Sequence, residues 1–304
     1  MKLDLQKRVR KLFLNNFTII KKAMKVGQKI VINYFRAKLN ILAVISNRWA
    51  AKSALDLFCT PLQKSRKKIP PIFDKAEHLN FELDGYKIHG YRWNRHNGSK
   101  KVLVVHGFES SSRNFDRYIS SLIKKGYEVM AFDAPAHGRS SGKRINLPLY
   151  LHTVRNIFEQ YGPIDGFVAH SYGGLIVAHF LETINTNDSM KAVLIAPATE
   201  TTSTLDSFFK FLQLNDRVRR QFDKLIFDWS GYWPHHFSIR RAMYNIKAQV
   251  LWFHDEEDDM TPVDDALRVE GDKHPNVHFR ITRGLGHRKI YRDNKVVKEV
   301  VDFL

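Results

Sequence analysis

The chain has 304 residues, 43% of them apolar and 26% charged, which is enough apolar content for one large core and excludes a disordered protein. Its single cysteine, Cys59, cannot form an intramolecular disulfide and reads as a small buried apolar side chain, so the expected setting is cytoplasmic rather than oxidising. The formal charge of +18 is concentrated at one end: residues 1–70 carry 17 Lys and Arg against only Asp4 and Asp56, and the rest is nearly balanced.

Residues 1–70 are expected to form a basic amphipathic helical extension. Apolar residues recur mostly three or four apart, from Leu5, Val9 and Leu12 through Phe35, Leu39, Leu42, Ile45 and Trp49, with Lys and Arg between them. Gly27 is expected to divide the segment into two helices, Pro61 to close it, and Pro70-Pro71 to form a stiff boundary to the next domain. Lys21, Lys22 and Lys25 interrupt the best candidate for a signal-peptide core. Within the arm no uncharged stretch is longer than Leu39 to Asn47, far short of the roughly 20 residues that a membrane span needs. Two readings stay open for this arm. It is an interfacial anchor that makes the protein peripherally membrane-associated, its lysines on anionic lipid, or it is a helical pair packed on the following domain. Nucleic-acid binding is disfavoured, because no zinc-finger spacing, aromatic ribonucleoprotein motif or Gly-rich RNA loop is present.

From residue 71 to 304 the pattern is that of a single α/β domain. His78 to Leu83 and Tyr86 to Trp93 flank Asp84-Gly85, a dipeptide suited to a type I′ hairpin turn. Lys101 to His106 reads as a strand, Ser110 to Asn114 as a helix start, Phe115 to Lys125 as a helix, and Glu128 to Phe132 as the next strand. Leu147 to Tyr161 is helical, Ile164 to Ala169 a strand, Leu175 to Ile184 a helix and Lys191 to Ala196 a strand. This alternation predicts a mostly parallel, doubly wound sheet whose ligands bind at the carboxyl ends of its strands.

The alternation lapses between Pro197 and Lys247, a stretch rich in aromatics. It is expected to be a helical cap insertion over about 198–247, with Phe208, Phe227, Trp229 and Trp233 lining an apolar substrate pocket. Gln249 to His254, Val263 to Glu270, Val277 to Ile281 and a terminal helix over about Ile290 to Leu304 complete the domain.

The chemistry centres on Ala169-His170-Ser171-Tyr172-Gly173, where an apolar strand runs into a serine and glycines follow at the start of a helix. Small residues two before and two after Ser171 let the backbone turn sharply and project the hydroxyl above the sheet, the nucleophile-elbow pattern with alanine for the first glycine. A serine needs a base, and a histidine and carboxylates follow in the order Ser, Asp, His: Asp255 to Pro262 after one strand, and Gly284-Leu285-Gly286-His287 after the last. No H-E-x-x-H or similar metal-ligand spacing and no nucleotide fingerprint occurs, so neither metal nor cofactor is implied.

Over roughly residues 75 to 304 these motifs resemble the α/β-hydrolase family. His106-Gly107-Phe108 resembles its oxyanion turn, Asp133 to Ser140 its D-x-x-G-x-G-x-S loop, and Ala169 to Gly173 its elbow. Asp258, four before Pro262, matches the position of its acid, and His287 its histidine. Asp255 replaces a usual glycine, which leaves the acid open among Asp255, Asp258 and Asp259, with Asp258 chosen on spacing. The resemblance implies a Ser171–Asp258–His287 triad, an oxyanion hole from the backbone N–H groups of Phe108 and Tyr172, and an α/β-hydrolase fold. Its implied activity is cleavage of a small-molecule carboxylic ester or related acyl bond through an acyl-enzyme. The alternatives are an acyltransferase, thioesterase or small peptidase with the same site, or a membrane-surface binding protein on a hydrolase scaffold. The oligomeric state stays open.

Overall fold

The computed structural model describes residues 26–62 and 68–304, with side chains from residue 30 onward. Among the described residues eight strands form one sheet: β1 (Glu77–Leu83), β2 (Tyr86–Trp93), β3 (Lys101–Val105), β4 (Glu128–Asp133), β5 (Gly166–His170), β6 (Lys191–Ile195), β7 (Gln249–Asp255) and β8 (Val277–Thr282). Their spatial order is β1-β2-β4-β3-β5-β6-β7-β8. β1 pairs with β2, and β2 with β4, antiparallel, and every later pairing is parallel. The hairpin turn at Asp84-Gly85 has φ of 48° and 78°, as a type I′ turn requires.

The helices are α1 (Val26–Ile45), α2 (Asn47–Phe58), α3 (Asp116–Lys124), α4 (Leu147–Tyr161), α5 (Tyr172–Leu181), α6 (Thr201–Leu212), α7 (Asp216–Ser230), α8 (Ile239–Met243), α9 (Val263–Gly271), α10 (Gly286–Lys289) and α11 (Asn294–Phe303). Among the described residues none is long and apolar enough to cross a membrane.

The central strands are apolar throughout because both faces are covered: every residue of β4 and of β5 is buried. Alternate residues feed two cores. Leu103, Met130, Phe167, Ala169, Leu194 and Trp252 pack with Val154 and Ile157 of α4 and with Ile176 and Phe180 of α5. Val102, Val129, Val168, Val193 and Leu251 pack with Ile119 and Leu122 of α3 and with Val297 and Val300 of α11. Each such large side chain stabilises the fold by about 1.5–3 kcal/mol relative to leaving it exposed.

The chain divides into two compact units. One comprises residues up to Ala54 together with Asp206–Leu225, and the other Leu55–Leu205 together with Ile226–Leu304, which contains the whole sheet. The division therefore differs from an expected boundary at Pro70 and a cap over 198–247. The physical reason lies inside the first unit, where Arg36 of α1 donates from Nε to the carbonyl of Phe211 at 2.8 Å and sets its guanidinium 5.2 Å from that ring. There Phe222 also meets Phe209 edge-on at 5.2 Å, and Arg219 pairs with Asp206 and Asp223. In the second unit the base of the insertion is closed by a single bridge between Glu200 and Ser238, whose Oγ donates to Glu200 Oε1 at 2.7 Å.

Three expected boundaries move. Among the described residues Gly27 lies within α1, and the break falls at Ser46; residues 1–25, where most of the expected basic helix begins, lie outside the described residues. The helix expected from Leu175 begins at Tyr172, because Ser171 itself makes the turn. The terminal helix is split by Asp293, whose side chain accepts from the N–H groups of Lys295 and Val296 and starts α11 afresh.

Candidate active site

β5 delivers Ser171 to the carboxyl edge of the sheet. Its backbone takes φ 55° and ψ −123°, a strained conformation costing about 1–3 kcal/mol that persists where the surroundings fix it. Those surroundings are close backbone contacts. A Cβ on Gly173 would strike the carbonyl oxygens of Val105 and His106, so only glycine lets α5 start this near β3. A Cβ on Gly107 would sit 2.9 Å from the Ser171 Cβ, so the His106-Gly107-Phe108 turn lies directly against the serine.

Ser171 Oγ lies 2.9 Å from His287 Nε2, and His287 Nδ1 lies 2.9 Å from Asp258 Oδ2. The tautomer that satisfies both bonds has His287 accepting the serine proton at Nε2 and donating from Nδ1 to the carboxylate. His287 is 5% exposed and the Asp258 side chain is fully buried, so water competes little with either bond. Burial alone would raise the Asp258 pKa. Its hydrogen bond to His287, the charge of that imidazole and the Thr261 amide outweigh burial and hold the carboxyl below its ordinary value.

The three carboxylates of the acid loop separate cleanly. Asp258 faces His287. Asp255 is buried and accepts from the amides of Leu285 and Gly286, the Glu257 amide and the Thr282 hydroxyl, so it clamps the loop that carries His287. These bonds outweigh its burial and lower its pKa. Asp259 is exposed.

Sequence reasoning missed three supporting groups, Thr261, Tyr150 and His254, whereas His106, His137 and Asp133 stand in motifs it read as structural. Thr261 donates from Oγ1 to Asp258 Oδ2 at 2.8 Å and lies 3.1 Å from His287 Nδ1; a threonine before a proline carries no signal of this. Tyr150, in the first turn of α4, donates its hydroxyl to the His106 carbonyl at 2.9 Å and so braces the turn beside Ser171. His254 donates from Nε2 to the Thr261 carbonyl at 2.8 Å behind the acid loop. His106 accepts the Ala134 amide at Nε2 and donates to the Gly107 carbonyl, and His137 Nε2 accepts the Glu109 amide at 3.0 Å. Asp133 is saturated by Ser112 and the Arg139 amide, tying its loop to the turn.

The Tyr172 amide is the first of α5 and has no partner within the helix, and the Phe108 amide follows the glycine that touches Ser171. Both therefore lie beside Ser171 at the carboxyl edge of the sheet. The expected pocket aromatics belong to both units. Phe208 is half-buried with Phe209 and Phe222 in the first unit. Phe227 and Trp233 stack at 4.8 Å and are 38% and 44% exposed, and Trp229 is 42% exposed. An open groove of about 560 Å³ between α3 and α11, lined by Asp116, Ser120, Asn294 and Lys298, includes no member of the Ser171 cluster. Among the described residues no group of three or more His, Cys, Asp or Glu is arranged to hold a metal ion.

Residues 97–232 match the family model described as serine aminopeptidase, S33. A non-heme haloperoxidase of Rhodococcus erythropolis is 30% identical over 115 residues, which are 37% of this chain and 41% of that protein. The uncharacterized protein YqkD of Bacillus subtilis is 23% identical over 262 residues, covering 76% of this chain and 81% of that one. Among solved structures, an esterase of Pyrococcus furiosus superposes with a TM-score of 0.60 at 21% identity, covering 81% of this chain and 97% of that one. Sheet order and these matches give the chain the α/β-hydrolase fold.

Proposed function

We propose that the chain is a serine hydrolase that cleaves a carboxylic ester through an acyl-enzyme on Ser171. The observation that carries this reading is the continuous chain of two 2.9 Å hydrogen bonds from Ser171 Oγ through His287 to Asp258. His287 takes the serine proton as Oγ attacks the acyl carbon. The negative charge that develops on the carbonyl oxygen is met by the amides of Phe108 and Tyr172. His287 then returns the proton to the leaving alcohol, and a water repeats the sequence to release the acid. Asp258 holds the imidazole in the tautomer with Nδ1 protonated and stabilises the imidazolium. The likeness to an esterase supports ester over amide as substrate. The matched family model favours a second reading, a peptidase acting on small peptides through the same three residues.

The test compares p-nitrophenyl esters of increasing acyl length with aminoacyl p-nitroanilides. The ester reading expects a burst of p-nitrophenol equal to one per Ser171 and negligible anilide turnover. Anilide turnover at rates matching the esters would replace it with the peptidase reading.

A further inference from the structure

Helix α1 is apolar around most of its circumference. Leu39 is buried, and Ile32, Phe35, Leu42 and Ala43 are partly so. Ile30, Tyr34, Ile41, Val44 and Ile45 are exposed, at 63, 59, 63, 89 and 65%. At 3.6 residues per turn these five, with Ala37 among them, fall in one stripe about 100° wide, roughly opposite Leu39. Lys38 borders the stripe, and Trp49, at the start of α2, is also exposed.

A helix that is apolar all round is normally covered on all sides. The uncovered side chains amount to several hundred Å² of apolar surface, the scale at which an open patch marks an interaction site. The charge around them has one sign: α1 and α2 hold Lys29, Arg36, Lys38, Arg48 and Lys52 against Asp56 alone. A second copy of the chain would bring two equally basic helices together. A nucleic acid would meet the charges but leave the stripe wet. An anionic bilayer surface takes both at once.

We propose that this face of α1 docks on an anionic phospholipid surface. The helix lies in the plane of the interface, its stripe among the headgroups and its lysines and arginines against acidic lipid. No helix among the described residues can cross the bilayer, which agrees with a chain that lies on it. The proposal stands independently of the chemistry at Ser171.

The test is co-sedimentation of the full chain with phosphatidylcholine vesicles with and without phosphatidylserine, read beside thermal melting and gel filtration. The expected result is binding about tenfold or more tighter to the phosphatidylserine vesicles. Ile41→Glu with Val44→Glu, and separately Tyr34→Ser with Ile45→Ser, should each weaken it about tenfold without changing melting or oligomeric state. Failure of the unaltered chain to bind, or equal binding by both variants, overturns the proposal. So does a variant that melts several degrees lower or loses an oligomer, which would mean that residues 1–25 or a second copy covers the stripe.

Discussion

The imidazole of His170 donates from Nε2 to the backbone carbonyl of His287 at 3.0 Å, and the two rings lie 4.8 Å apart. The residue immediately before the proposed nucleophile therefore grips the backbone of the proposed base, 117 positions away in sequence. Tyr291 also packs against the His170 ring, with centroids 4.3 Å apart and planes tilted by 40°. His170→Phe keeps the ring but removes the bond, so His287 is held less accurately. The expected outcome is a fall in kcat of about 10- to 100-fold with KM nearly unchanged, measured on a soluble ester. A KM effect alone would assign His170 to substrate binding instead.

Asp255 and Asp258 are three residues apart and do different work. Asp258→Asn should leave melting nearly unchanged while lowering kcat by about 10⁴, because the amide cannot hold the required imidazole tautomer. Asp255→Asn should cost about 1–3 kcal/mol of stability, since it weakens several buried bonds to the His287 loop, and should retain more activity than the Asp258 variant. Urea unfolding beside steady-state kinetics on both proteins separates the roles. Reversed outcomes would move the acid to Asp255.

His106, His170 and His254 are buried, and burial pushes the pKa of each below its ordinary value. Each stays neutral in the folded chain at a pH where it would protonate once unfolded. The unfolded state thus binds more protons on acidification, so stability is fully present above about pH 6.5 and declines as pH falls below it toward the lowered pKa values. The loss approaches about 1.4 kcal/mol per pH unit for each such histidine. Denaturant unfolding at pH 7.5 and pH 5.5 checks this, with a lower free energy of unfolding expected at the acidic value.

Burial, and after it the charge of Asp56, pushes the Cys59 thiol up to about 12. At pH 8 it is almost wholly protonated, so a thiol reagent should label the native chain far more slowly than the urea-unfolded chain. Equal rates would show that the site is open.

Where the sequence was legible, the reason is local. Each buried parallel strand is a continuous apolar run, as in Val102 to Val105 or Phe167 to Ala169, and the elbow advertises itself by small residues where backbones approach. The choice among three carboxylates was not legible from the residues alone. What separates Asp258 from Asp255 at the site is which of them meets the His287 ring and which the Leu285 and Gly286 amides, across a β7–β8 pairing that no local pattern encodes. Thr261 and Tyr150 were missed for the same reason. The compact units also escaped sequence reading, since the Arg36–Phe211 contact joins residues 175 apart.

The most direct measurement is intact-mass analysis after reaction with a fluorophosphonate, on the native chain and on Ser171→Ala. The account expects one adduct per native molecule, mapped to Ser171, and none on the variant. A folded native chain that takes up no label, or a Ser171→Ala variant labelled as fast as the native chain, would contradict it.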